Sequence, residues 1–106
     1  MVKIGKNAFY KAPITMLSIP DNVYIGTKAF GNCSNLRTID LSTITSISAV
    51  KWEPNIFDNV KCSDGETKGT IYVYSNKMIE QWKEYFSLNE SNTDLAEWNF
   101  KVINDI

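Results

Sequence analysis

The apolar positions of this chain recur with a period of 21 residues. Ile4-Gly5-Lys6-Asn7-Ala8-Phe9 returns as Ile25-Gly26-Thr27-Lys28-Ala29-Phe30, with four of six positions unchanged and the two variable ones polar. In Leu17-Ser18-Ile19 and Ile39-Asp40-Leu41 apolar and polar residues alternate, which predicts short strands with their apolar side chains inward. A period of this length is typical of a chain that stacks small, similar units. The pattern therefore predicts a solenoid.

Each unit reads apolar-x-x-apolar-x-apolar, then a bend, then Ile-Gly-x-x-Ala-Phe. Aligning Leu36, Ile39 and Leu41 with Ile14, Leu17 and Ile19 requires the deletion of one residue after Ala12.

The repeated positions predict an inner wall opposite the strands. We expect Phe9 and Phe30 to stack in an internal aromatic column, because aromatic residues at repeat spacing usually form a packed core. We expect Gly5 and Gly26 to lie where the backbone turns sharply or approaches another segment closely.

These units resemble the BspA-like class of leucine-rich repeats, found mainly in bacterial surface proteins. That family's unit runs L-x-x-I-x-L/I-P, then V-x-x-I-G-x-x-A-F-x-x-C. The residues that carry the likeness are Leu36, Ile39, Leu41, Ile25, Gly26, Ala29, Phe30 and Cys33, with Ile14, Leu17, Ile19, Pro20 and Val23. The resemblance covers about residues 4–47 well. It implies an α/β repeat solenoid, a short right-handed β-solenoid of stacked parallel strands.

The pattern loosens after Leu41. Ile44 and Ile47 fit the second half of a third unit, while Ile56-Phe57 replaces the Ala-Phe pair after an insertion. Residues 58–69 read as a polar loop.

Trp52, at the edge of this insertion, has two interpretations. It is either an exposed anchor for a partner or a side chain packed beneath the long loop. The usual burial of aromatic residues favours packing.

The last third predicts a cap. A strand is expected over 70–74, a helix over 76–87 and a final strand over 99–103, joined by a polar connector at 89–93. The helix would begin at Ser75 or Asn76 and present one broad apolar face, formed by Met78, Ile79, Trp82, Tyr85 and Phe86.

The endings of BspA-like arrays are similar to this region. The matching segments are Ile71-Tyr72-Val73, Trp82-Lys83 and Trp98-Asn99-Phe100-Lys101-Val102-Ile103. Tyr74 stands where proline is usual, so we expect the strand to run one residue further. The repeats (1–57) and the loop with its cap (58–106) would form one structural domain.

Composition excludes several partners. The 106 residues include 43% hydrophobic residues, 11 basic and 12 acidic, with no basic cluster. Nucleic-acid and membrane-surface binding require a concentrated Lys/Arg face. No apolar run approaches the roughly 20 residues that span a bilayer. Met1-Val2-Lys3 leads straight into half a repeat without a signal peptide, so we expect the C-terminal piece of a longer array; a complete small cytosolic protein is the alternative.

The sequence predicts no catalysis. Without histidine there is no Ser-His-Asp or Cys-His arrangement, and the scattered glycines form no phosphate-binding loop. Glu80 and Glu84 are explained by a solvated helix face. Asp58, Asp64 and Glu66 lack the alternation of a calcium loop. We therefore expect no enzyme, no cofactor and no metal site.

The two cysteines have a structural explanation. Cys33 occupies the small position held by Ala12 in the preceding unit, which indicates a volume requirement. A disulfide between Cys33 and Cys62 is conceivable in an exported protein, although an even count alone is weak support.

The leading functional hypothesis is a binding module that displays its strands to a protein or glycan on another cell or matrix. The expected contact residues are Met16, Ser18, Thr38, Asp40, Thr70, Tyr72 and Tyr74, because tyrosines beside small polar groups suit recognition. The resemblance implies adhesion and a cell-surface or secreted location. The alternatives are a purely structural cap, with upstream repeats of the same parent chain as its partner, and a small intracellular scaffold.

Overall fold

A computed structural model of the protein describes residues 2–33, 35–60, 69–90 and 93–102. Within these residues the chain forms seven strands, one α-helix and two short 3-10 helices. The strands are β1 (Val2–Ile4), β2 (Met16–Ser18), β3 (Val23–Ile25), β4 (Thr38–Asp40), β5 (Lys51–Trp52), β6 (Thr70–Val73) and β7 (Asn99–Val102). The α-helix, α1, is Asn76–Asn89, and the 3-10 helices are Ile47–Ala49 and Thr93–Glu97.

The described strands form two parallel sheets on opposite walls of the stack. The four-stranded sheet has the order β2-β4-β6-β7, and the three-stranded sheet has the order β1-β3-β5. In the four-stranded sheet Leu17 pairs with Ile39 and Ile39 with Ile71, so equivalent positions of successive units lie side by side. Ile39 and Ile71 are fully buried, as the alternation predicts. The predicted α/β solenoid of stacked parallel strands is confirmed.

An aromatic column runs through the turns that join the two sheets. The ring of Phe30 stacks on Phe9 at 5.5 Å on one side and on Phe57 at 5.7 Å on the other. Phe86 of α1 then meets Phe57 edge-on at 6.2 Å. The predicted column is confirmed, and so is the assignment of Ile56-Phe57 to the Ala-Phe position.

Backbone hydrogen bonds link each turn to the next. The N–H of Phe9 donates to the carbonyl of Ala29 at 2.7 Å, and the N–H of Phe30 donates to that of Ile56 at 2.9 Å. In the described turns the ladder therefore has a direction, since each turn donates these N–H groups to the turn that follows.

Gly26 is required by the close approach of two units. A Cβ at this position would lie 2.5 Å from the backbone nitrogen of Lys6. Gly5 differs, because a Cβ there would meet nothing within 4 Å. The predicted close approach is thus confirmed for Gly26 and absent at Gly5 in the described residues.

The third unit departs from the predicted register. Trp52 of β5, and not Ile47, pairs with Ile25 and continues that inward column. The insertion before β5 explains the difference, because it shifts the repeat by several residues while Ile47 begins a 3-10 helix. Trp52 is half-buried and stacks on Trp82 at 5.2 Å, so it packs against α1 and is not an exposed anchor. The long loop falls largely on 61–68, which lie outside the described residues.

The segment predicted as a cap contains its strand, helix and final strand in the expected order, with shifted boundaries. The first cap strand ends at Val73, and not at residue 74, because the chain bends at Tyr74 and Ser75 before α1 begins. The helix continues to Asn89, two residues beyond its predicted end. The last strand is Asn99–Val102, with its predicted residue 103 outside the described part.

The apolar face of α1 closes over the stack. Met78, Trp82 and Phe86 are buried, while Ile79 and Tyr85 pack half-buried against the core, as predicted. Full burial of side chains of this size contributes about 1.5–3 kcal/mol each.

Candidate binding face

The outward side chains of the four-stranded sheet form two columns in register. The first column contains Met16, Thr38, Thr70 and Asn99; the second contains Ser18, Asp40, Tyr72 and Lys101. Six of the seven residues predicted to bind therefore lie together on one face. Tyr74 follows the end of β6 and is 46% exposed. The role of these residues in binding remains a prediction.

Tyr72 lies between opposite charges. Its register neighbours are Asp40 on β4 and Lys101 on β7. The Oδ1 atom of Asp40 accepts a hydrogen bond from the N–H of Ser42 at 3.0 Å, which orients the carboxylate. An aromatic ring flanked by an acceptor and a cation suits recognition of a polar partner.

The size of this face limits what it binds alone. Four strands about 4.8 Å apart, with columns two residues apart, give a face about 14 Å by 7 Å between the outermost backbone positions. A stable protein interface covers about 800 Å² on each partner. The two columns form only part of such an interface.

The three-stranded sheet presents a different outward surface. Lys3, Tyr24 and Lys51 form its outward column. A hydrogen bond from the Tyr24 hydroxyl to Glu53 raises the pKa of Tyr24, with smaller contributions from burial and from the charge of that carboxylate. Glu53 also accepts a hydrogen bond from the N–H of Thr27 at 2.9 Å. Because Tyr24 lies on the three-stranded sheet and hydrogen-bonds to Glu53, its substitution is a suitable control for substitution of the tyrosines on the four-stranded sheet.

Glu90 closes the hydrogen-bond ladder at the end of the third turn. Its Oε1 accepts from the N–H of Phe57 at 3.1 Å, and its Oε2 from the N–H of Ile56 at 3.2 Å. The carbonyl of Asn89 accepts from the N–H of Asn55 at 2.8 Å. In the earlier turns, carbonyls of the following unit accept the bonds equivalent to those of Asn55 and Phe57, whereas the N–H equivalent to that of Ile56 bonds within its own turn. One carboxylate oxygen and one peptide carbonyl thus take the place of two acceptors that a following unit supplies in the earlier turns.

Glu90 is buried, with only 5% of its surface exposed. Burial raises the pKa of its carboxyl to about 7, against the lowering effect of the N–H groups of Phe57 and Ile56. The negative charge of Asp58 raises this pKa further. Burial also raises the pKa of Tyr85 to about 12, with a contribution from the charge of Glu90.

A groove of about 260 Å³ lies beside α1. It is lined by Ile47, Gln81, Glu84, Tyr85, Leu88 and Asn89. Leu88 is 75% exposed. None of the residues predicted to bind lines this groove.

Cys33 has the buried environment that its repeat position predicts. It is fully buried, and its thiol donates a hydrogen bond to the carbonyl of Phe9 at 3.3 Å. Burial raises the pKa of this thiol. Cys33 is a free thiol in this structure, and Cys62, the other cysteine, lies outside the described residues.

Within the described ranges, no three His, Cys, Asp or Glu side chains group together as metal ligands. No helix in that part of the chain is long and apolar enough to cross a membrane.

Comparison with protein families agrees with this geometry. A family model described as the BspA-type leucine-rich repeat region, in six copies, matches residues 2–104. The chain belongs to the BspA-type leucine-rich repeat family. This BspA-type chain matches no curated protein and no solved structure. The family indicates a repeat module for protein interaction, typically without catalytic activity and commonly surface-associated.

Sequence reasoning missed two features of the BspA-type fold. Lys101 belongs to the outward face, a position that the alternation along β7 indicates. The sequence predicts a polar connector over 89–93, whereas Glu90 within it is buried and accepts the N–H groups of Ile56 and Phe57. No local pattern marks Glu90, because its partners lie more than 30 residues earlier in the chain.

Proposed function

We propose that this chain is a non-catalytic interaction module that binds a protein through the outward face of its four-stranded sheet. The observation that carries the proposal is the alignment of Ser18, Asp40, Tyr72 and Lys101 across four parallel strands. Side chains in register present a fixed, flat array of donors, acceptors and one aromatic ring. Such an array recognises a partner with little loss of side-chain entropy.

The partner that this face favours is a protein on another cell or in the matrix. The face is smaller than a stable protein interface, so the partner would also contact adjoining loops or strands added to the sheet. The association of this family with surfaces supports a cell-surface or secreted location and a role in adhesion. A glycan ligand is the alternative that a binding experiment separates.

Immobilised collagen, immobilised laminin and an array of defined glycans are suitable probes. We expect the chain to bind a protein probe and Tyr72→Ala with Tyr74→Ala to reduce that affinity by about tenfold or more, as loss of aromatic contacts does at interface centres. Binding to glycans alone would identify the glycan alternative.

The matched control is Tyr24→Ala on the opposite sheet. It removes a tyrosine of similar position within a strand but leaves the proposed face intact. Equal loss of affinity in the control and in the Tyr72 and Tyr74 variant would contradict the assignment of the face.

A second function, closure of a repeat array, is favoured by Glu90. One oxygen of this carboxylate accepts from the N–H of Phe57, where a carbonyl of the next unit accepts in the earlier turns. In that role the chain shields the apolar column of its own parent protein, with upstream repeats as its partner.

A further inference from the structure

The groove beside α1 has apolar walls that face solvent. Gln81, Tyr85 and Leu88 recur along α1 at helical spacing, so they lie along one side of the helix, and Ile47 lines the groove from its 3-10 helix. Leu88 is the most exposed large apolar side chain among the described residues, at 75%. The volume of about 260 Å³ is below the roughly 300–1,000 Å³ of typical small-molecule pockets, so it suits a single side chain of a partner.

Tyr85 gives this groove a rigid wall. Its ring meets those of Trp52 at 5.7 Å, Trp82 at 5.6 Å and Phe86 at 6.0 Å, each edge-on. A wall held in this way binds a flat or apolar group without losing side-chain entropy of its own.

The polar groups at the groove are mostly hydrogen-bond acceptors. The carboxylate of Glu84 has only acceptor atoms, and no described cation pairs with it. The residues three and four positions from it along α1 are all non-basic: Glu80, Gln81, Ser87 and Leu88. The Nδ2 of Asn89 donates to the carbonyl of Tyr85 at 2.9 Å, which leaves the Oδ1 of Asn89 as an acceptor. A ligand that satisfies these groups must donate hydrogen bonds.

The end of α1 favours a positively charged donor. The C-terminal end of a helix carries a partial negative charge that attracts cations. α1 ends at Asn89 and has no basic residue in its last turn. Leu88 and Asn89 belong to that turn and line the groove. The groove therefore combines apolar walls, a carboxylate and a helix C-terminus, which together suit a cationic group on an apolar stem.

Among cationic side chains, arginine fits this combination better than lysine. Its planar guanidinium forms paired hydrogen bonds with a carboxylate and packs on aromatic rings, whereas the ammonium group of lysine is compact and strongly hydrated. The methylene groups of arginine pack on apolar surface while the charged end reaches polar groups.

We propose that the groove beside α1 is a binding site for one arginine side chain of a protein partner. The guanidinium pairs with Glu84 and donates to the Oδ1 of Asn89, while the stem packs between Ile47 and Leu88. None of the residues on the outward face of the four-stranded sheet lines this groove. The site therefore goes beyond the proposed function and does not depend on it.

The test is an NMR titration of the isotope-labelled chain with N-acetylarginine methylamide. The matched probe is N-acetylcitrulline methylamide, which keeps the shape of arginine without its charge. We expect the arginine probe to bind with a Kd of about 1–10 mM, the range for a single side chain, and to shift the amide signals of Ile47, Glu84, Tyr85 and Leu88. The citrulline probe should shift them by about a fifth as much or less, because it forms no charge pair.

Two variants locate the charge that binds the probe. Glu84→Gln should weaken binding of the arginine probe by about threefold or more, since it removes the charge pair. The control is Glu80→Gln, which makes the same change of charge at an exposed position one turn earlier, outside the groove. It should weaken binding by less than about twofold, because solvent screens charges at that distance.

Three results would each overturn the site: amide shifts spread over all acidic surfaces, equal binding of the citrulline probe, or equal losses in the two variants. Equal affinity for N-acetyllysine methylamide would overturn the choice of arginine. The probe comparison uses the natural chain, so it stands even where a variant is unstable. Collagen, laminin and glycans take no part in these measurements, so failure of the sheet-face proposal is distinguishable from failure of this one.

Discussion

The two ends of the stack differ in exposure, because in the described part of the chain the first unit is uncovered on its outer side and the third unit is covered by α1 and Glu90. At the first unit the aromatic column ends in Phe9, which is 46% exposed, and the carbonyls of the turn accept no bond from described residues. At the third unit Phe86 is fully buried, and Glu90 and Asn89 accept the N–H groups of Asn55, Ile56 and Phe57. The comparison shows that the repeat pattern alone does not determine what covers each end. At the third unit, a helix covers the aromatic column and one buried carboxylate accepts backbone N–H groups.

The aromatic column provides the largest expected difference between the ends. Phe86→Ala should lower the free energy of unfolding by about 3–5 kcal/mol, because it empties a fully buried site. Phe9→Ala should cost about 1 kcal/mol or less, since its ring keeps one stacked neighbour and is half exposed. Urea unfolding of both variants measures the comparison. Equal losses would contradict the assignment of an open end.

Glu90 gives the closed end a dependence on pH. Its pKa of about 7 in the folded chain exceeds its ordinary value of 4.5, so the folded state binds this proton more tightly. The contribution to stability is complete below about pH 4.5 and is lost as pH rises through about 7. The loss amounts to about 3 kcal/mol. Urea unfolding between pH 4.5 and pH 8 measures it.

The variant that isolates this effect is Glu90→Gln, which keeps the shape of the side chain without a titrating group. Its stability should vary much less over the same pH interval. Glu84→Gln, on the exposed side of α1, is the matched control and should retain the slope of the natural chain. A slope that persists unchanged in Glu90→Gln would assign the pH dependence to other groups.

Much of the stack follows from the sequence, and the closed end shows where prediction stops. The alternation in β4 and the spacing of Phe9 and Phe30 are local patterns, so they predicted the strands and the column. The insertion before Trp52 lengthens the third unit, so the period of 21 residues does not predict that Trp52 pairs with Ile25. Glu90 accepts hydrogen bonds from backbone N–H groups. Because nearly every residue has such a group, no residue pattern in the sequence identifies its partners. The face residues could be placed by alternation, but their ligand has no signature in this chain.

The close contact between the first two units at Gly26 gives a smaller expected difference in stability. Gly26→Ala should lower stability by about 1–3 kcal/mol, because its Cβ would lie 2.5 Å from a backbone atom of the neighbouring unit. Gly5→Ala should have no such cost, since it has open space around it. Thermal unfolding distinguishes them. A Gly26→Ala chain as stable as the Gly5→Ala chain would show that the units are not packed as closely as described.

The left-handed turn positions give the smallest effect. Asn7, Lys28 and Asn55 occupy equivalent positions with φ of 60°, 57° and 61°. Asparagine tolerates this backbone region better than lysine does. Lys28→Asn should therefore stabilise the chain by about 0.5–1 kcal/mol, read as a rise in Tm. The reciprocal change, Asn7→Lys, should destabilise it by a similar amount; a shift of the same sign in both variants would contradict this explanation.

Amide hydrogen exchange observed by NMR tests the open and closed ends most directly. The N–H groups of Ile56 and Phe57, held by Glu90, should exchange only in openings close to global unfolding. The N–H groups of Phe9 and Lys11 should exchange faster, because the first unit frays with nothing described on its outer side. Exchange of Ile56 and Phe57 as fast as that of Phe9 and Lys11 would show that the third turn is not closed by Glu90.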